Sequence, residues 1–115
     1  MFNTHGFKLV KGLTDAIVQR QEIISHNLTN IETENYIRQD IDFGRVLSSL
    51  KTNSLGLESN ESIIAKARYR DYSKPMTLDS ELSKLYDNHL RYLLLVKSIS
   101  HHFEHMKKAL EVRSV

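Results

Sequence analysis

Val10, Leu13, Ile17, Ile24 and Ile31 recur at three- and four-residue steps or their sum, the spacing of one helical face. Arg20 and Asn27 stand at the two places where that stripe lacks an apolar residue, while Ala16, Ile23 and Leu28 widen one side of it. The pattern predicts a helix over about residues 7–31, roughly 37 Å long. The period is lost in the polar run Asn30–Tyr36, where Asn35 suits a turn because Asn enters the left-handed region at little cost.

The middle of the chain carries shorter patterns. Phe43, Val46, Leu47 and Leu50 share one face of a short amphipathic helix, with Asp40 or Asp42 available to cap its first turn. Residues 51–62 are rich in Ser, Asn and Glu, contain Gly56, and read as a loop. From Ile63 the period changes to two: Ile63, Ala65, Ala67 and Tyr69 alternate with Ile64, Lys66, Arg68 and Arg70. That alternation predicts a half-buried strand, which needs a second strand or another molecule to pair with.

Pro75 breaks the chain, and Thr77 is placed to cap a last helix whose first turn carries Asp79 and Glu81. Leu78, Leu82, Leu85, His89, Tyr92, Val96, Ile99, Phe103, Met106 and Leu110 then follow in alternating steps of four and three, a heptad seam. A second row of Tyr86, Leu90, Leu93 and Leu94 lies beside it. At about 34 residues this helix would reach roughly 50 Å, well beyond what the first helix can cover. Each buried Leu, Ile or Phe is worth ~1.5–3 kcal/mol, so an uncovered seam implies a partner. The fold class expected is mainly α: long N- and C-terminal helices forming an antiparallel coiled-coil pair, with a small, partly extended middle segment. The chain divides accordingly into a helix and turn over 1–36, a variable middle over 37–76 and a coiled-coil helix over 77–115.

Composition narrows the function by exclusion. At 115 residues the chain suits one modest core. Hydrophobic residues make up 40% and charged residues 26%, too apolar for a disordered tail. A net charge of +2 is spread among alternating acids and bases and singles out no partner. With no cysteine there is neither a disulfide framework nor a thiolate metal site. No stretch approaches the ~18 apolar residues that span a bilayer, and the N-terminus lacks the pattern of a cleaved signal.

Candidate chemistry is sparse. His101 and His105 have the i, i+4 spacing of zinc ligands but no third ligand, so no metal is expected. Arg68, Tyr69, Arg70 and Tyr72 suggest a basic, aromatic surface, yet their alternation fits a solvated strand face better than nucleic-acid binding. No Gly-rich phosphate loop, paired acids or nucleophile with its base is recognisable, which argues against an enzyme, and no cofactor is expected. Asn27, inside the apolar stripe, is expected to hydrogen-bond across a helix interface and fix its register.

The segment Asn27-Leu28-Thr29-Asn30-Ile31-Glu32-Thr33-Glu34-Asn35-Tyr36 resembles the N-terminal signature N-[IL]-A-N-x-x-T-P-G-Y of the bacterial flagellar rod-protein family. Asp40-Ile41-Asp42-Phe43 and the later run Asn88-His89-Leu90-Arg91-Tyr92 with Leu95-Val96 are similar to further family segments. The family's Pro-Gly is Glu34-Asn35 here, and Asn keeps access to positive φ where Gly would stand. The resemblance covers roughly residues 9–43 and 75–110. It implies a structural component of the proximal rod of the flagellar basal body, in the periplasm, reached through the type III export apparatus without a cleaved signal. The partners it implies are further copies of the chain, other flagellar rod proteins, the basal adapter FliE and the export apparatus. On this reading the assembly interface comprises Val10, Leu13, Ile17, Ile24, Asn27, Leu82, Leu85, Tyr92, Val96, Ile99, Phe103 and Met106, and Asn30, Thr33 and Tyr36 shape the turn. The alternative is a soluble helical adaptor or small regulator that forms a closed coiled-coil dimer and binds nucleic acid.

Overall fold

The structure, a computed structural model, describes residues 4–73 and 75–113. Helix α1 spans Thr4–Thr29 and stops in the polar run that the lost period marks. Asn35 adopts φ 62° in the following turn, the left-handed conformation its short side chain tolerates. Strand β1 (Gln39–Ile41) leads into helix α2 (Phe43–Thr52). Asp42 is the cap of α2, its carboxylate accepting the Arg45 N–H at 3.1 Å, and Val46 and Leu50 are buried on the predicted face.

The expected strand over residues 63–70 is corrected. Helix α3 runs from Asn60 to Ala67, capped by Ser59, whose hydroxyl accepts the Ser62 N–H. Only Arg68–Arg70 is extended, as strand β2. The physical reason lies in Ile63 and Ile64, which are adjacent and both buried. A strand would send them to opposite faces, whereas a helix turns both, with Ala67 one turn on, towards α1 and α2. The predicted loop is correspondingly shorter and ends at Ser59. Strand β2 finds its partner within the chain, pairing antiparallel with β1 in the register Asp40 opposite Tyr69.

Helix α4 (Leu78–Arg113) begins at Thr77, whose hydroxyl accepts the Ser80 N–H at 3.2 Å. Its 36 residues make a rod of ~54 Å, which explains why the molecule measures 67 Å along one axis and 18 Å along another. The two terminal helices pack antiparallel: Asn27 reaches Glu81, Arg20 reaches Asp87, and Ile17 reaches Asn88.

The hydrophobic core is built from Ala16, Ile23, Ile41, Val46, Leu50, Ile63, Ile64 and Ala67, supplied by α1, β1, α2 and α3. No described residue of α4 belongs to it. Gly12 permits the close approach of α2, since a Cβ there would lie 2.6 Å from a Leu50 methyl carbon.

Candidate assembly surface

Arg20 and Asn27, the two polar interruptions of the α1 stripe, are both buried, at 7% and 0% exposure. Asn27 donates through Nδ2 to the Gln39 carbonyl at 2.8 Å, and its Oδ1 accepts the Gln39 N–H at 3.1 Å. Its side-chain amide thus satisfies both backbone groups of Gln39, on the edge of β1 opposite β2. Nδ2 also lies 3.2 Å from a Glu81 oxygen, and the Tyr36 hydroxyl donates to Oδ1 at 3.1 Å. Asn27 therefore joins α1, the turn, β1 and α4 at one point.

Around it lies an ionic cluster. The Arg20 guanidinium donates to Asp40 at 2.8 Å and to Asp87 at 2.8 Å. Arg38 donates to Glu81, to Asp40 at 3.2 Å and to Asp71 at 3.0 Å. Glu81 and Arg38 are buried, so each charge depends on its partners in the cluster. Burial alone would lower the pKa of both guanidiniums, but hydrogen bonds to the carboxylates outweigh it and raise both. Burial would likewise raise the Asp40 carboxyl, and it is overcome by hydrogen bonds from Arg20 and the Ile41 N–H, leaving the pKa lowered. Asp71 is held at about 2, first by the Ser73 hydroxyl and N–H and then by Arg38. Asn88, also buried, donates to the Ile17 carbonyl at 2.9 Å, while its Oδ1 finds no protein donor among the described residues.

Among the described residues of α4 the two that are buried are polar, with Leu85, Leu95 and Ile99 half-buried. The two are Glu81 and Asn88, seven residues apart on one face. The terminal helices pair as expected, and much of the predicted seam lies outside their contact. Leu82, Tyr92, Val96, Phe103 and Met106 are exposed, whereas Leu85 and Ile99 are half-buried. A strict seven-residue repeat on a straight helix drifts ~20° per heptad, so the seam winds across the surface of α4. The flanking Tyr86, Leu90, Leu93 and Leu94 are exposed as well and widen this apolar band.

On α1, Ile17 and Ile24 are enclosed within the chain, and Val10 and Leu13 are half-buried. Leu13 and Ile17 meet Phe43, Leu47, Leu94 and Leu95 around an open cleft of about 410 Å³. The Arg91 guanidinium stacks over the Phe43 ring at 4.8 Å. In the turn, Asn30 donates to the His26 carbonyl at 2.9 Å and Thr33 donates to Asn30 Oδ1 at 3.1 Å. His101 and His105 sit edge to face, 5.4 Å between ring centres.

Sequence reasoning missed Arg38, Asp40, Glu81, Asp87 and Asn88 as a connected set. The available signal was the pair of polar breaks in the α1 stripe, which require polar partners if that face is buried. Among the described residues no group of three or more His, Asp or Glu is arranged to hold a metal, and no helix is long and apolar enough to cross a membrane.

No family model matches the chain. Among curated proteins it is similar to the flagellar basal body rod protein FlgB of Bacillus subtilis (strain 168), with 27% identity over 105 residues. That alignment covers 79% of this chain and 81% of the relative. Over most of its length the chain is thus similar to a flagellar rod protein, and its two long terminal helices pack on each other.

Proposed function

We propose that the chain is a non-enzymatic structural subunit of the proximal rod of the bacterial flagellar basal body, assembling helically with copies of itself and with other rod proteins. The observation that carries this reading is the exposed apolar band of α4, from Leu78 to Leu110. Exposed apolar area of this continuity marks a protein contact surface, and a repeated heterologous contact along a screw axis produces a filament. The band is displaced from Glu81 and Asn88, through which α4 meets its own body, so a subunit keeps its fold while offering the band to neighbours. Val10, Leu13, Leu82, Tyr92, Val96, Phe103 and Met106 supply the accessible part of the interface in this reading. Ile17, Ile24 and Asn27 support it from inside the subunit, and Asn30, Thr33 and Tyr36 set the turn. Export through the type III apparatus and seating on the adapter FliE belong to the same reading.

The test is Phe103→Asp, at a position 62% exposed. The variant should fold and express as the parent does, fail to pellet as filaments, and leave a strain carrying only that copy non-motile, because a charge would be buried in the contact. Normal filaments and motility from Phe103→Asp would overturn the proposal.

A further inference from the structure

Two apolar surfaces stand open on the subunit, and the fold keeps them apart. One is the cleft of about 410 Å³ between α1, α2 and α4, lined by Leu13, Ile17, Phe43, Leu47, Leu94 and Leu95. The other is the far end of α4, where every residue from His101 to Glu111 is exposed except His102. There Phe103, Met106 and Leu110 stand at i, i+3 and i+7, the spacing with which an amphipathic helix lies in an apolar groove. Helices draw most of their stability from packing one face, and this end has no core residue beneath it. Helix α4 cannot fill its own cleft. Leu94 and Leu95 belong to the same unbroken helix, and Phe103 and Leu110 lie roughly 12 and 22 Å further along its axis than Leu95.

We propose that the cleft is the seat for the α4 end of a second copy, which lays Phe103, Met106 and Leu110 into it. The proposal rests on the reading that the chain assembles with itself, and it names the surface on which the apolar band docks. Each α4 stays on its own body. Leu94 belongs both to the cleft and to the exposed band, so the seat continues the band contact. The charges match as well. Arg91 lines the cleft and Asp42 adjoins its lining residues Phe43 and Gly44, while Glu104 and Lys107, one turn apart and exposed, flank the anchors. Arg91 shares Asp87 with Arg20, so it can turn to an incoming carboxylate while Asp87 keeps Arg20. A buried Phe alone contributes ~150–250 Å², so three anchors supply a substantial part of the ~800 Å² per partner of a stable contact. Seat and anchors are different patches of one molecule, which makes the contact heterologous and lets it continue from copy to copy. Leu55 and Leu57 are more exposed still, at 81% and 86%, but they flank Gly56 in a loop and offer two side chains. The helix end offers three along ~10 Å.

The chain has no cysteine, so single thiols report the seat directly. Gly44→Cys marks the cleft, since a Cβ there meets nothing closer than the Asp42 carboxylate at 3.3 Å, and Lys107→Cys marks the helix end without removing an anchor. The two full-length variants are mixed, assembled, treated with a short bismaleimide and resolved by mass. Gly44→Cys mixed with Leu55→Cys is the comparison. The proposal predicts a covalent heterodimer from the first mixture, lost when the chains are too dilute to assemble, and none from the second. It also predicts that Ser98→Trp, at an exposed cleft position on α4, keeps the parent's helical circular dichroism and loses filament pelleting, because the indole occupies the seat. Filaments that pellet with no linkage between positions 44 and 107, or that form undiminished from Ser98→Trp, would overturn the proposal and leave the rod reading standing. A heterodimer from the second mixture in place of the first would overturn it in favour of the loop. Linked pairs that never grow into filaments would keep the seat and remove the rod reading.

Discussion

Replacing Glu81 by Ala should loosen α4 far more than replacing its neighbour Leu82 by Ala, although Leu is the larger hydrophobe. Glu81 is wholly buried between Arg38 and Asn27, and Leu82 is 46% exposed. Removing one partner of a buried ion pair costs ~3–5 kcal/mol. Arg38 retains Asp40 and Asp71, so the low end applies, ~3 kcal/mol, or roughly 150-fold in the docking equilibrium. A Leu side chain is worth ~1.5–3 kcal/mol when fully buried, so truncating a half-exposed one in the isolated subunit should cost about 1 kcal/mol or less. Amide hydrogen exchange at low protein concentration reads both. Amides of α4 near Asn88 should exchange about two orders of magnitude faster in Glu81→Ala, with those of α2 and α3 little changed. If Leu82→Ala released α4 as readily as Glu81→Ala, the buried polar contacts would not be what holds the helix.

Three further outcomes follow from the same geometry. Gly12→Ala should destabilise the body by ~1–3 kcal/mol in urea titration, because the added methyl meets the Leu50 methyls and forces that buried side chain to shift. At Asn35, with φ 62°, Ala should cost ~1 kcal/mol in thermal unfolding while Gly leaves stability nearly unchanged. Acid should release α4: Asp40, Asp71 and Asp87 all have lowered folded-state pKa values, so their stabilisation is complete above the ordinary carboxylate range. It is lost as pH falls through the folded values, down to about 2 for Asp71. Exchange of α4 amides, followed as pH is lowered from about 4 to about 2, should show this loss.

Much of the fold was legible because its signals are local. The α1 stripe, the Asp42 cap of α2 and the Thr77 cap of α4 each depend on residues within a few positions of one another. Helix α3 was not legible in that way. Its alternation of Ile, Ala and Lys fits a strand on periodicity alone, and only the joint burial of Ile63 and Ile64 against α1 and α2 selects the helix. The ionic cluster was hidden for a different reason: Arg38 and Glu81 are 43 positions apart, and no spacing rule links them. Glu81 looked like an ordinary acid at a helix N-terminus, and Asp40 like a spare cap. The apolar seam was visible, but its direction was not. The seam and the polar residues share one helix, and Arg20, Asn27 and Arg38 meet Asp87 and Glu81 of that helix rather than its seam.

The most direct measurement is hydroxyl-radical footprinting of the free and assembled protein, read by mass spectrometry at Leu82, Tyr92, Phe103 and Met106. All four are exposed in the single subunit. Assembly through the α4 band predicts strong protection of all four, with Leu55 and Leu57 in the loop between α2 and α3 still reactive. Filaments in which the four react as fast as in the free subunit would contradict the account.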